Sequence, residues 1–256
     1  MKKLIYLFII TLILVGCSQE STKKPLTKDE TIKLIQKTIK NTNSITVHAD
    51  NTTTVTYDKF TTKFDETLDS KYDTINQSAL KVTAQSNNTK FKVKPYIYNL
   101  SKNNEMIFPE TNYISYRAQL ADRNYLQDLQ ADVVNLTDIV QDVIKKDSSD
   151  IVLKDNTFSY EGKSESIQSL YEYGFHFSSM HQISLFNQIT DLKVVSGKYT
   201  IDLSPTNKFM KQLDFEVTMT GKIKSKPVTI KMKQETQYKD FNKTDVTPYK
   251  EDELSE

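Results

Sequence analysis

The stretch Ile45-Thr46-Val47-His48-Ala49-Asp50-Asn51-Thr52-Thr53-Thr54-Val55-Thr56-Tyr57 changes character at almost every step. Ile45, Val47, Ala49, Asn51, Thr53, Val55 and Tyr57 share one parity and are mostly apolar, while Thr46, His48, Asp50 and Thr56 take the other. Side chains of a strand point alternately to its two faces. A period of two held over this length predicts an antiparallel strand with one buried and one wet face. The pattern returns towards the C-terminus. Leu213, Phe215, Val217, Met219 and Ile223 alternate with Asp214, Glu216, Thr218 and Lys222, and beyond residues 224–227 Val228, Ile230 and Met232 alternate with Thr229, Lys231 and Lys233. Two alternating runs across a short polar connection predict a β-hairpin. Antiparallel sheet is therefore the expected framework.

Further strands are expected over 60–68, 71–85, 89–98, 151–160 and 192–203, with a short pair from Met106-Ile107-Phe108 and 113–116. Asn87-Asn88 suits a tight turn, because Asn tolerates positive φ. Pro95 has no N–H for a ladder, which places 89–98 at an edge or a bulge. Asn156 marks a kink within 151–160, and Pro205-Thr206-Asn207 a turn after 192–203. Helices flank and interrupt the strands. Thr27 and Glu30 have the spacing of a capping box, after which Ile32, Ile35 and Ile39, with Leu34, form one stripe as far as Asn41. Leu126, Leu129, Val133, Leu136, Val140 and Val143 recur at three and four behind Asp122, a helix-capping type. That run spans too few heptads for an isolated coiled coil and reads as a helix laid across a sheet. Its Asp128, Asp132, Asp138 and Asp142 form a solvated face, because no glycine-turned loop arranges them around a cation. Ser164 opens a short helix through Tyr173, with Gly174 at its end. Phe175, Phe177, Met180, Ile183, Leu185, Phe186 and Ile189 then make the most apolar segment of the mature chain. It is either core or the adaptable wall of a cavity.

The N-terminus carries a different message. Lys2 and Lys3 precede an apolar run from Leu4 to Val15, which ends in Leu14-Val15-Gly16-Cys17. Basic start, apolar middle and a small residue before the cut form a secretory signal pattern, and the last four residues resemble a bacterial lipobox. There the cysteine thiol is diacylated and the chain is cut just before it. The run falls short of the roughly 20 apolar residues of a membrane span. Plain secretion would strand the single cysteine unpaired in an oxidising compartment. Each buried acyl methylene is worth roughly 0.8 kcal/mol, so two chains anchor where one does not. Cys17 is thus the expected lipidation site, and the extracytoplasmic face of a cell membrane, in the Gram-positive manner, the expected location.

Composition narrows the class. The chain has 256 residues and a net charge of +1. Loss of Lys2 and Lys3 with the signal brings the mature charge to −1, whereas a nucleic-acid binder needs a strongly basic domain. Gly (5) and Pro (6) are scarce and Trp is absent, while Tyr (14) and Phe (12) are plentiful, as suits half-exposed strands. The expected organisation is a signal peptide over 1–16, a tether over 17–26, one domain over 27–249 and an unstructured acidic tail over 250–256.

Catalytic patterns are missing from the sequence. His176 and His181 are five apart without the Glu of an HExxH helix, and no nucleophile elbow, P-loop or dinucleotide fingerprint occurs. No catalytic residue, metal site or cofactor is expected.

Lipobox, tether, capped helix, long strands, a helical interruption and a final run through Tyr238-Lys239-Asp240-Phe241-Asn242 together resemble the LolA/LppX superfamily. The closing phrase Phe241-Asn242-Lys243, with Val246 and Pro248, is similar to an Asn–hydrophobic–Pro ending of Gram-positive lipoproteins in that group. The resemblance spans about residues 27–249. It implies an α+β fold, a strongly curved antiparallel β-sheet or half-barrel with helices packed on the concave face, and a cavity for lipid or lipoprotein. Delivery of lipoproteins to an outer membrane is not implied for a Gram-positive cell. Cavity candidates are Val47, Val55, Leu129, Val133, Phe177, Met180, Phe186, Phe215, Val217, Met219, Ile230 and Met232. Two functions are compatible with these features. One is a carrier of a hydrophobic small molecule or lipid, held at the membrane by its anchor. The other is a scaffold whose Lys222, Lys224, Lys231 and Lys233 meet a protein or an anionic cell-envelope polymer.

Overall fold

The computed structural model describes residues 26–73, 78–88, 95–100, 105–107, 149–163, 167–168, 188–207 and 209–254. They form one α-helix, α1 (Lys28–Lys40), and ten strands: β1 (Ser44–Tyr57), β2 (Phe60–Asp73), β3 (Ser78–Ser86), β4 (Tyr96–Leu100), β5 (Glu105–Ile107), β6 (Val152–Lys154), β7 (Thr157–Gly162), β8 (Thr190–Leu203), β9 (Met210–Ile223) and β10 (Lys226–Lys239). All ten belong to one antiparallel sheet ordered β5-β4-β3-β2-β1-β10-β9-β8-β7-β6. Two meanders meet where the first long strand pairs with the last, from Thr46↔Lys239 to Tyr57↔Val228. Among the described residues the sheet does not close on itself. Its edges are three-residue strands, too short to template pairing with another chain.

Local sequence explains most element boundaries. The Thr27 N–H donates to Glu30 Oε2 at 2.8 Å and the Glu30 N–H returns to Thr27 Oγ1 at 3.3 Å, the expected capping box. The β9–β10 reversal uses Lys224 and Ser225 alone, with φ of 47° and 68°, the φ signature of a type I′ turn that matches strand twist. Pro95 falls just ahead of β4, where its missing N–H is harmless.

Two strand expectations change. Residues 71–85 are not one strand: Lys71, Tyr72 and Asp73 finish β2, and Tyr72 faces Ser78 across a reversal. Polar side chains on the outer parity obscured the break. Residues 151–160 are a hairpin rather than a kinked strand, because Asp155 adopts φ 56° and Lys154 faces Thr157. Asp enters the left-handed region at low cost. The expected helix over 122–146, the strand at 113–116 and the apolar 175–187 segment lie outside the described residues. Of the helix expected from Ser164 to Tyr173, only Ile167 and Gln168 are among the described residues, and both are helical.

One face of the sheet is buried and the other wet. Ile35 of α1 and Ile167 join the buried face in a single apolar cluster with residues of β1, β2 and β7–β10. Gly197 belongs to this packing, since a Cβ there would stand 2.4 Å from Ile167 Cγ2. After β10 the chain turns through Asp240 and Asn242, at φ 56° and 59°, and crosses the outer face. It ends against β4, where Val246 and Tyr249 cover Ile97. Asn99 Nδ2 donates to the Tyr249 carbonyl at 2.8 Å and Asn99 Oδ1 accepts the Tyr249 N–H at 3.0 Å. Glu251–Leu254 then form a 3-10 turn, so the chain keeps a defined conformation into the expected tail.

Candidate ligand-binding face

Strand parity brings seven of the predicted cavity residues together. Val47, Val55, Phe215, Val217, Met219, Ile230 and Met232 all lie on the buried face and are all buried. Register makes them neighbours: Val55 faces Ile230, Ile230 faces Met219, and Met232 faces Val217. Leu129, Val133, Phe177, Met180, Phe186 and the lipidation candidate Cys17 lie outside the described residues. Beyond β9 the apolar surface continues through Tyr199, Ile201 and Leu203 of β8 to Phe158 and Tyr160 of β7. The Tyr160 and Tyr199 rings stack with centroids 5.4 Å apart.

A polar row crosses the same face among apolar residues of β1 and β2, and the cavity candidates omitted it. Asn51 of β1 stands between Glu66 of β2 and Gln234 of β10 in direct register. Asn51 and Glu66 are each 4% exposed and Gln234 is 0% exposed. Thr53 and Thr236 flank the row, Thr62 and Ser70 lie farther along β2 beyond Phe64 and Leu68, and all four are buried. Thr53 Oγ1 donates to Asn51 Oδ1 at 3.3 Å, and Gln234 Nε2 to Thr236 Oγ1 at 2.9 Å. Among the described residues Gln234 Oε1 has no hydrogen-bond donor. The signal was present in the alternation: Asn51 and Thr53 share the parity of Val47, and Gln234 and Thr236 that of Met232. A buried amide or carboxyl costs free energy unless hydrogen-bonded, so polar residues at inward positions mark the face as something other than plain core.

Two of the four lysines of the cationic-patch reading, Lys222 and Lys233, carry carboxylate partners on the outer face. Lys222 pairs with Asp191 at 2.9 Å, Lys233 with Glu235 at 2.6 Å and Lys198 with Glu216 at 3.0 Å. Lys224 sits in the β9–β10 turn rather than on the strand face. Carboxylates thus interrupt the lysine stripe, and exposed pairs of this kind contribute about 0–1 kcal/mol each. Among the described residues two grooves open on this face. One of about 660 Å³ runs over β7–β10 past Glu161, Lys198, Asp214 and Glu235, and one of about 440 Å³ over β1–β3 past Asp50, Asp65, Thr67 and Gln85. Both grooves are bordered by charged side chains. His48 also faces outward, its Nδ1 2.7 Å from Asp69. His176 and His181 lie outside the described residues. Among the described residues no group of three or more His, Cys, Asp or Glu is placed to hold a metal ion.

No protein-family model matches the chain, and no curated protein matches it in sequence. Solved structures give partial overlays. A lipovitellin structure, described by its lipid–protein interactions, is 11% identical over 81% of this chain at a TM-score of 0.33, and the overlap spans about a quarter (26%) of the lipovitellin chain. LprF from Mycobacterium bovis is 10% identical, with 79% of this chain and 89% of LprF covered at a TM-score of 0.37. A LolA superfamily protein from Nitrosomonas europaea is 10% identical, covering 87% of this chain and 96% of its own at a TM-score of 0.22. These neighbours include the superfamily that the sequence resembles; overlays of this extent assign no activity.

Proposed function

We propose that the chain is a lipid-anchored extracytoplasmic lipoprotein, without enzymatic activity, that holds an amphipathic molecule against the buried face of its sheet. Acylated Cys17 would keep it at the membrane, and the helix expected over 122–146, together with α1, would cover the ligand. The observation that carries this reading is the composition of the buried face. An apolar expanse over β8–β10 adjoins a row of buried amides and a carboxyl group at Gln234, Asn51 and Glu66. A core serving stability alone gains nothing from polar groups in its middle, whereas an amphiphile needs both kinds of surface side by side. The sequence resemblance to LolA/LppX proteins points the same way. Native mass spectrometry of protein released gently from membranes is expected to show a bound species of lipid-like mass. A homogeneous ligand-free mass from well-folded protein would sink the proposal.

A further inference from the structure

At one end of the sheet two hairpin turns lie side by side, because β1 pairs with β10 as far as Tyr57↔Val228. One turn, Asp58-Lys59, leads into Phe60; the other, Lys224-Ser225, leads into Lys226. Phe60 is 73% exposed, although a large aromatic ring gains by leaving water. Lys224 is equally ill-suited to its place. It adopts φ 47° at a turn position where Asn or Gly serves better, so its charge is kept at a cost in local conformation. Lys226 Nζ reaches Asp58 Oδ2 at 3.2 Å and ties the two turns together, while Lys222 pairs with Asp191 at 2.9 Å. Among the described residues Lys59 and Lys224 have no carboxylate partner. These four lysines outnumber the two aspartates, so the exposed ring sits within a net positive tip. An anionic bilayer surface suits both features. The ammonium groups meet head-group charge, and the ring enters the interface between head groups and acyl chains.

Chain length permits the contact. Lys28, at the start of α1, reaches the Ile151 carbonyl beside β6, and the register carries that level through Val152, Ser159 and Thr200 to Asp214. From Asp214 to Ile223, the end of β9, the strand runs about 30 Å. The ten residues 17–26 span at most roughly 33–36 Å when extended. A chain anchored at Cys17 can therefore set this tip on the membrane. We infer, on the basis of the lipid anchor proposed above, that the tip docks on an anionic bilayer surface. Phe60 enters the interface, and Lys59 and Lys224 lie against the head groups.

The chain has no tryptophan, so Phe60→Trp places a single fluorescent reporter at the tip. The acylated protein carrying it is reconstituted into vesicles of phosphatidylcholine, or of an equal mixture with phosphatidylglycerol. In the mixed vesicles the reporter is expected to emit further to the blue and to be quenched by brominated acyl chains, and both effects should fade at high salt. Lys59→Gln and Lys224→Gln should each lower the ratio of docked to undocked protein about fivefold. Lys231→Gln, farther along β10, should leave it unchanged. Emission in the mixed vesicles no different from that in phosphatidylcholine, or an unchanged ratio in the Lys59 and Lys224 variants, overturns the docking. So does a reporter shielded from both acrylamide and brominated chains, which would place the ring against the protein's own chain or a second copy. Each of these outcomes leaves the lipid anchor standing, whereas protein that stays with neither kind of vesicle overturns the anchor itself.

Discussion

Asp214 shows how much one side chain's environment departs from its place in the sequence. Alternation puts it on the outer face of β9, and register sets it between Thr200 and Glu235. Partial burial pushes its carboxyl above the ordinary 3.8, the hydrogen bonds from Gln212 Nε2 oppose the rise, and the charges of Glu235 and Asp202 add to it. The folded state therefore holds this proton more tightly than the unfolded chain. The stability that follows is present below the unfolded value and is lost as pH rises through the folded one. Asp214→Asn should accordingly raise the urea midpoint at pH 7 and give no such gain below about pH 3.8. The same gain at both pH values would mean that ionisation is not the cause. The buried Gln234 and Glu66 illustrate the converse. Their inward parity was legible, but their meeting across Asn51 was not, since alternation fixes a face and leaves the pairing partner open.

Among the elements, the corner that joins α1, β1 and β10 depends on Asn242. Its N–H donates to the Ser44 carbonyl at 2.9 Å, its Oδ1 accepts the Asn43 N–H, and its Nδ2 donates to the Asn41 carbonyl at 3.2 Å. It also adopts φ 59°, which Asn tolerates better than most residues. The closing motif of the sequence is thus a structural corner. Asn242→Ala is expected to cost about 2 kcal/mol or more, from left-handed strain and two lost side-chain bonds. Asn242→Gly should recover the backbone part alone. Chemical denaturation of the two variants separates the contributions; equal losses would show that conformation at this residue is irrelevant. The Thr27–Glu30 cap was readable because its partners are three residues apart, and the Asn242 bonds were not because theirs are about 200 apart.

At the scale of the molecule, the segment after β10 acts as a strap across the outer face. Tyr249 is its clasp, held by both amide atoms of Asn99 and with Lys71 Nζ 4.6 Å from its ring centroid. Burial raises its phenol well above the ordinary tyrosine range, with the charges of Asp69 and Glu253 adding to the rise. Asn99→Ala leaves the Tyr249 N–H and carbonyl without partners and should cost about 1–3 kcal/mol. Hydrogen exchange should then speed up over residues 244–254 while β9 and β10 stay protected. Unchanged protection of the strap would show that Asn99 does not hold it. By itself, the sequence determined what depends on near neighbours: strand parity, the helix cap and the direction each inward side chain takes. Period and capping are properties of a few consecutive residues. Only the tertiary structure decided that β1 pairs with β10, which row Gln234 joins, and where the strap ends. Those outcomes turn on registers between residues far apart in the chain, chosen by the burial of the whole face at once.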